Sequence, residues 1–345
     1  MSSSNDTSKE TQEYLRTVGL DVVVLLDHAR SFEGTDDKSL GFSGAEFSRT
    51  MHDVITAVDK EVTRFIIACK PPALDAEIRA LWPKINTGLF MLVQHFDRIP
   101  KTAGRTYLIE VRRALCKSLL AMVLLLNSYL GCKIELSNAI LSDIPYTSAA
   151  GVVWDRCKGL MQIPVDNRAA VLCSWRNGVS DMIKDAADEL HESISKPKSS
   201  QSKSGEEDEG SDSMDEFNPE ISVDRLDDAR SAHKLIMSAK IICEKIGLRC
   251  IRDCETLDEE HTIWLDRLLE LGEPVQSAID DLVAALYEDG EQWRHDVKLC
   301  SAKLTSALDD LVTLAITFVD DYHLPWFQLC RKRLDITKHT YDVVR

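Results

Sequence analysis

The sequence has few of the residues that make turns. Glycine and proline together account for 25 of its 345 residues, 15 and 10 respectively, or about 7% where an average protein has about 12%. Sheet-rich folds need many tight turns, so this scarcity favours long helices. Alternation of polar and apolar side chains, the pattern of a half-buried strand, never extends beyond a few residues. We therefore predict an all-α protein.

Long apolar segments are also missing. The most apolar run is LLAMVLLL at 119–126, far shorter than the roughly 20 residues that a membrane span needs. The N-terminal stretch MSSSNDTSKETQ has no apolar region of the secretory-signal type. We expect no membrane association, and we expect the ten cysteines to be reduced core thiols rather than a disulfide framework.

Positive charge is in short supply. With 41 Lys and Arg against 57 Asp and Glu, the formal net charge is −16. Such a chain repels phosphate backbones and anionic lipid, so we expect no direct nucleic-acid binding through a global basic face. The charge is compatible with a partner that has a basic surface.

The common catalytic signatures are absent. The sequence contains no phosphate-binding glycine loop, no zinc-protease helix motif and no nucleophile elbow. Cys250, Cys254 and His261 resemble a metal site only loosely, because structural zinc usually has two closely spaced ligand pairs. We therefore predict no enzyme activity, no cofactor and no metal.

Helical periodicity fills most of the chain. Ser43-Gly44-Ala45-Glu46 is a capping-box pattern that predicts a helix start, Pro71-Pro72 predicts its end, and Trp82-Pro83 predicts a kink or break in the next helix. Two segments carry sustained heptads, typical of helices packed nearly parallel or antiparallel in a bundle. Their apolar-stripe positions are Leu108, Val111, Leu115, Ser118, Met122, Leu125 and Tyr129, and Trp293, Val297, Cys300, Leu304, Ala307, Leu311, Leu314 and Phe318.

The composition changes sharply at 196–220. This stretch has three Lys against eight acidic residues and a single Phe, too little apolar surface to offset its ordering entropy. We predict a disordered N-terminus at 1–12, a helical bundle at 13–195, a disordered acidic linker at 196–220 and a second bundle at 221–345. Ser204 and Ser213 each have an acidic residue three positions on and are candidate phosphorylation sites, although acidic, Ser-rich segments produce this pattern by chance.

The stretch LMQIPVDNRAAV at 160–171 has a local explanation as a turn between two helices. Pro164 cannot continue the first helix and favours an extended Ile163. Asp166 is a good N-cap residue for the second helix. Ala169 and Ala170 are strong helix formers.

The wider segment at 152–194 resembles the cyclin-D-binding protein family, the helix-loop-helix-like proteins that interact with D-type cyclins. The resemblance rests on a hairpin signature that includes Trp154, Met161, Gln162, Ile163, Pro164, Asp166, Asn167, Ala169 and Ala170. The acidic stretch that follows also resembles the family.

The resemblance implies two domains of antiparallel helical bundles in a protein of the cytoplasm and nucleus. It implies a non-enzymatic regulator that binds D-type cyclins and other helical proteins, and that restrains cyclin-dependent phosphorylation and cell-cycle progression. The same heptads are compatible with a cytoskeletal or junctional adaptor of the vinculin or talin type. Arg331-Lys332-Arg333 is either a weak nuclear-import patch or ordinary helix-surface charge.

Overall fold

The computed structural model describes residues 9–36, 42–70, 75–130, 134, 144–195, 221–288 and 290–342. In these ranges the chain forms α-helices joined by short 3₁₀ and π segments, and its sole β-type pairing is an isolated bridge between Thr35 and Pro100. The all-α prediction is confirmed. The helices are α1 (Lys9–Ser31), α2 (Gly44–Ala68), α3 (Asp75–Phe96), α4 (Arg105–Leu130), α5 (Tyr146–Met161), α6 (Asn167–Trp175), α7 (Asp181–Ser195), α8 (Leu226–Ile246), α9 (Glu259–Tyr287), α10 (Trp293–Ala315) and α11 (Leu324–Asp342).

Local signals place several helix ends correctly. The Ser43 hydroxyl oxygen accepts the Glu46 backbone N–H at 3.3 Å, as the capping-box pattern predicts for the start of α2. That helix ends at Ala68, three residues before Pro71. Pro71 and Pro72 themselves lie outside the described ranges. By contrast, Pro83 does not break α3, which continues through it to Phe96. The fully buried Trp82 beside it packs edge-on against Phe65, with ring centroids 5.3 Å apart.

The chain divides into two compact units, residues 1–170 and 171–345. The division falls inside α6, whereas composition places the domain boundary at 195. The difference arises because the apolar residues of α7, among them Ile183, Ala187 and Leu190, belong to the core of the second unit. Composition shows where a segment has too few apolar residues to pack, but it does not indicate which of two cores a helix joins.

In the first unit, five helices form a closed ring in the order α1, α4, α5, α2, α3. A ring with an odd number of members cannot alternate direction throughout, so at least one neighbouring pair must be parallel. That pair is α1 and α3. Its two ends are marked by ion pairs in matching order, Glu10 to Arg79 at 3.8 Å and His28 to Asp97 at 2.8 Å.

The second unit contains α7 to α11. Helix α7 packs on α8 and α9, α9 packs along α10, and α10 also contacts α8 and α11. Trp175, at the end of α6, is fully buried in this core and donates from Nε1 to the Cys243 carbonyl oxygen at 3.1 Å. A π segment at Arg176–Ser180 connects α6 to α7 without a break.

The two heptad stripes behave differently. Every predicted position of α4 is buried. In α10 the early positions are buried, but Phe318 lies beyond the helix end and is 40% exposed. A straight helix drifts by about 20° per heptad. Along α10 the core face therefore comes to include Leu308, Val312 and Ala315, which are fully buried together with Leu311, while the heptad positions Ala307 and Leu314 are only half-buried.

The N-terminal prediction needs one correction. Helix α1 starts at Lys9, so residues 9–12, which the sequence assigned to a disordered segment, are helical. Thr11 is fully buried. A polar sequence can extend a helix when its first turn packs on a core, which composition does not reveal. Residues 1–8 and the predicted linker at 196–220 lie outside the described ranges.

Candidate functional site

The signature hairpin consists of α5, a short turn and α6. Helix α5 ends at Met161, and its C-cap residue Gln162 donates its backbone N–H to the Gly159 carbonyl oxygen at 3.1 Å. Asp166 caps the next helix as predicted: its Oδ1 accepts the Ala169 backbone N–H at 2.7 Å. Ile163 is buried and Pro164 half-buried between them. The turn therefore has the local structure that its residue types indicate.

Asn167 has a role that the local pattern does not reveal. It is 3% exposed, and its side-chain Oδ1 accepts the Tyr107 backbone N–H, at 3.0 Å, in the first turn of α4. Gly104 immediately precedes that helix and has no side-chain oxygen to bond the free N–H groups. Asn167 thus caps a helix 60 residues away in sequence.

Gly104 is required at this point for two reasons. Its φ of +105° lies in a region that side chains other than glycine rarely adopt. In addition, a Cβ atom on residue 104 would overlap the Asn167 side-chain amide. The start of α4 and the hairpin turn are consequently fitted to each other at van der Waals distance.

Two further contacts attach the hairpin to other helices. Trp154 donates from Nε1 to the Thr63 hydroxyl oxygen of α2 at 3.0 Å. The Ser118 hydroxyl of α4 donates to the Arg156 carbonyl oxygen of α5 at 3.2 Å. Ser118 is a small member of the α4 heptad, and α5 packs against α4 at this position.

The signature residues are therefore largely used within the first unit. Ala170 is fully buried, Met161 packs against the core, and Gln162 is exposed. Their contacts explain why these residue types stand here, and they describe a folding role. Ser204 and Ser213 lie outside the described residues, and their modification stays a prediction.

A groove on the first unit offers different chemistry. It is a surface depression of about 180 Å³ between α4 and α5, and its walls include Arg113, Ala114, Lys117, Arg156 and Gly159; we call it the α4–α5 groove. The two helices are antiparallel, since Ser118 lies near Arg156 while Tyr129 lies near Tyr146 (ring centroids 5.2 Å apart). Sequence reasoning missed this groove. The available signal was the excess of basic residues at 105–130 and 146–161.

A larger and more polar cavity lies in the second unit. It has a volume of about 400 Å³, and Cys250, Cys254 and His261 all line it. Burial raises the pKa of the Cys250 thiol well above its ordinary value, which keeps it protonated and a poor ligand. Among the described residues, no group of three or more His, Cys, Asp or Glu side chains is placed to hold a metal ion.

The basic triplet at 331–333 lies on α11 and is exposed. Arg331 Nε lies 3.8 Å from Asp309 Oδ1 of α10, which is consistent with a helix-surface ion pair between neighbouring helices. Over the described ranges, no helix combines the length and the apolar content needed to span a bilayer.

Comparison with known proteins finds a family model that matches part of the chain and relatives that are similar over most of it. Residues 50–196, which contain α4, α5 and the signature hairpin, match the family described as Grap2 and cyclin-D-interacting, N-terminal. The chain is 28% identical over 291 residues to the Cyclin-D1-binding protein 1 homolog of Xenopus laevis, covering 83% of each chain. It is 26% identical to the Danio rerio homolog, covering 90% of this chain and 89% of that one. The human Cyclin-D1-binding protein 1 is 24% identical, covering 86% of this chain and 82% of the human protein.

The matched region contains the whole signature at 154–170. The resemblance of this chain to the cyclin-D-binding protein family is therefore confirmed.

Proposed function

We propose that this chain is a non-enzymatic regulator that binds a D-type cyclin and thereby restrains cyclin-dependent phosphorylation and cell-cycle progression. The observation that carries the proposal is the similarity over 83% to 90% of the chain to proteins named for binding cyclin D1. Because the similarity extends over both units, we assign the proposed activity to the whole chain and not to one unit.

The all-helical architecture supports the same mode of action. Bundles recognise partners mainly by accepting an amphipathic helix between two of their own helices. A D-type cyclin held in this way would be unavailable to its kinase or held in an unproductive complex. The protein then acts by occupying its partner, and no chemical step is required of its own side chains.

The direct test uses the full chain and a purified D-type cyclin, with an A-type cyclin as the matched control. Titration calorimetry should give saturable binding to the D-type cyclin and at least about tenfold weaker binding to the control, a difference of about 1.4 kcal/mol. Equal affinity for both cyclins, or none for either, would remove the basis of the proposal.

The regulatory half of the proposal needs a separate measurement. Added to a D-type cyclin–kinase complex, the chain should lower the rate of phosphorylation of a retinoblastoma-protein fragment in proportion to the fraction of cyclin bound. The same amount of chain added to an A-type cyclin–kinase complex is the control. Tight binding with an unchanged phosphorylation rate would leave a cyclin-binding protein without the restraining role.

A second candidate is an adaptor of the vinculin or talin type, favoured by the fully buried heptad of α4 in a helical bundle. Co-sedimentation with actin filaments distinguishes the two, because the adaptor should pellet with filaments and the cyclin regulator should not.

We infer a location in both cytoplasm and nucleus, as the family resemblance implies. The exposed triplet Arg331-Lys332-Arg333 is consistent with weak nuclear import. A fluorescent fusion should distribute between both compartments, and replacing the triplet with alanines should lower the nuclear fraction. An unchanged distribution would assign these residues to the surface of α11 alone.

A further inference from the structure

The helices that form the α4–α5 groove differ in charge from the rest of the chain. Together α4 and α5 contain six basic residues, Arg105, Arg112, Arg113, Lys117, Arg156 and Lys158, against two acidic ones, Glu110 and Asp155. Helix α9, for comparison, contains a single Arg against seven acidic residues. The formal net charge of the whole chain is −16, whereas α4 and α5 together carry +4, and three of their cations, Arg113, Lys117 and Arg156, line one exposed surface, the groove. Such a surface attracts and orients an acidic partner.

The cations of the groove are only weakly engaged within the chain. Arg113, 55% exposed, lies 2.5 Å from Glu110, which is 25% exposed and is the one acidic residue that lines the groove; Arg156, 43% exposed, lies 3.3 Å from Asp155, which is 70% exposed. Lys117 between them is also exposed. Exposed pairs of this kind contribute between about 0 and 1 kcal/mol. A carboxylate from a partner can therefore replace them at little cost.

The floor of the groove is lined by small residues. A Cβ atom added at Gly159 would meet nothing within 4 Å, and its neighbour across the groove, Ala114, is also small. Glycine inside a helix costs about 1 kcal/mol relative to alanine, and no contact within the chain requires the missing side chain here. Small residues between two helices let the side-chain ridge of another helix settle into the depression.

We propose that the α4–α5 groove is a docking site for an acidic helical segment of a partner protein. The carboxylates of that segment pair with Arg113, Lys117 and Arg156, and its apolar side packs over Ala114 and Gly159. The identity of the partner, a D-type cyclin, rests on the proposed function. The acidity of the segment and the place where it docks rest on the groove alone.

The first experiment changes the charge of the groove. The wild-type chain and the double variant Lys117→Glu/Arg156→Glu are titrated with a fluorescein-labelled helical peptide of Glu, Ala and Leu, about 20 residues long so that it holds helical structure. The double variant should bind at least about tenfold more weakly at low salt, and the difference should shrink as added salt screens the charges. The matched control, Arg49→Glu/Lys84→Glu, makes the same change of charge at exposed positions elsewhere on the first unit and should bind like wild type.

The second experiment fills the groove without changing its charge. Gly159→Met places a long side chain in the depression and should weaken binding of the same peptide at least about tenfold. Gly151→Met is the control, because Gly151 lies on the same helix, is equally open to a Cβ atom and does not line the groove. Both substitutions replace a helical glycine with a good helix former, so neither is expected to unfold the unit. Circular dichroism checks this directly.

The outcomes separate this proposal from the proposed function. If wild type binds a D-type cyclin and both groove variants bind it equally well, the docking site is refuted while cyclin binding stands. If the acidic peptide binds in a groove-dependent way and the cyclin does not bind, the docking site is supported and the partner is wrong. No binding of the peptide to wild type, or equal binding of a Lys-for-Glu version, overturns the proposal. The acidic residues of 206–216 could compete for the groove from within the chain. If neutralising them strengthened peptide binding by more than about tenfold, the groove would be the binding site of that segment and not of a partner protein, which also overturns the proposal.

Discussion

Replacing Asn167 with alanine tests whether a single amide caps a helix 60 residues away. Its Oδ1 accepts the Tyr107 N–H at 3.0 Å, and the side chain is 3% exposed. Removing the amide leaves the buried Tyr107 N–H without an acceptor, because the neighbouring Gly104 has no side chain that could accept it. A buried donor without its partner costs about 1–3 kcal/mol, so we expect Asn167→Ala to lower the free energy of unfolding by about 2 kcal/mol.

Two companion variants separate the cap from simple loss of packing. Asn167→Asp keeps an acceptor oxygen and adds a negative charge at a helix N-terminus, so it should cost less than about 1 kcal/mol. Gly104→Ala should cost about 4 kcal/mol: about 2 for a side chain at a φ of +105° and about 2 because the new Cβ displaces the Asn167 amide. In the double variant the hydrogen bond is already lost, although the Cβ of residue 167 still lies 2.6 Å from the new Cβ. The combined cost should therefore be more than about 4 kcal/mol and less than the additive value of about 6 kcal/mol.

The assay must report on the start of α4, because two units can unfold in separate steps and a single transition would mix them. Hydrogen exchange of a peptide covering residues 105–112 is suitable. A local loss of about 2 kcal/mol corresponds to exchange about 30-fold faster in Asn167→Ala. Unchanged exchange in that peptide would refute the cap. A double variant whose cost equals the sum of the single variants would refute the steric fit between residues 104 and 167.

Further substitutions test other parts of the structure. Trp154→Phe should lower the free energy of unfolding, measured by urea titration, by about 1 kcal/mol through loss of the hydrogen bond to the Thr63 hydroxyl. Thr63→Val made in the Trp154→Phe background should then cost little, because the bond is already gone. A further loss of about 1 kcal/mol in that double variant would contradict the bond. Gly159→Ala should raise stability by about 0.5–1 kcal/mol, because its Cβ meets nothing. Gly88→Ala should lower stability, because its Cβ would lie 2.5 Å from the Val58 side chain. Thermal denaturation compares the two variants, and shifts of the melting temperature in the same direction would be inconsistent with the packing. Burial raises the pKa of Cys157 and of Cys243 to about 12 from the ordinary 9.0. Unfolded thiols therefore release protons first above pH 9, and stability should fall as pH rises, by about 1.4 kcal/mol per pH unit for each buried thiol. Cys157→Ala should remove one such contribution from the slope measured between pH 9 and 10, and an unaltered slope would show that the thiol is accessible in the folded state.

The placement of the proposed site shows how far sequence reasoning reaches. The signature at 154–170 carries the resemblance to the family, yet its polar residues Asp166 and Asn167 cap α6 and α4. The groove that offers an exposed basic surface consists of residues with no recognisable motif. Its cations come from two helices that are separated along the chain by residues 131–145, and only the pairing of those helices brings the cations to one depression.

The sequence by itself determined the features that depend on neighbouring residues. Turn scarcity and three- and four-residue periodicity indicate helices, Ser43 and Asp166 mark two helix starts, and the heptad of α4 identifies a buried face, because each signal arises within one or two helical turns. Tertiary structure alone decided which helices are neighbours. It made α1 and α3 parallel because a ring of five helices cannot alternate throughout, moved α7 into the second core, and drew Asn167 to the start of α4. These outcomes depend on how whole apolar faces are shared among helices, and no short stretch of sequence contains that information.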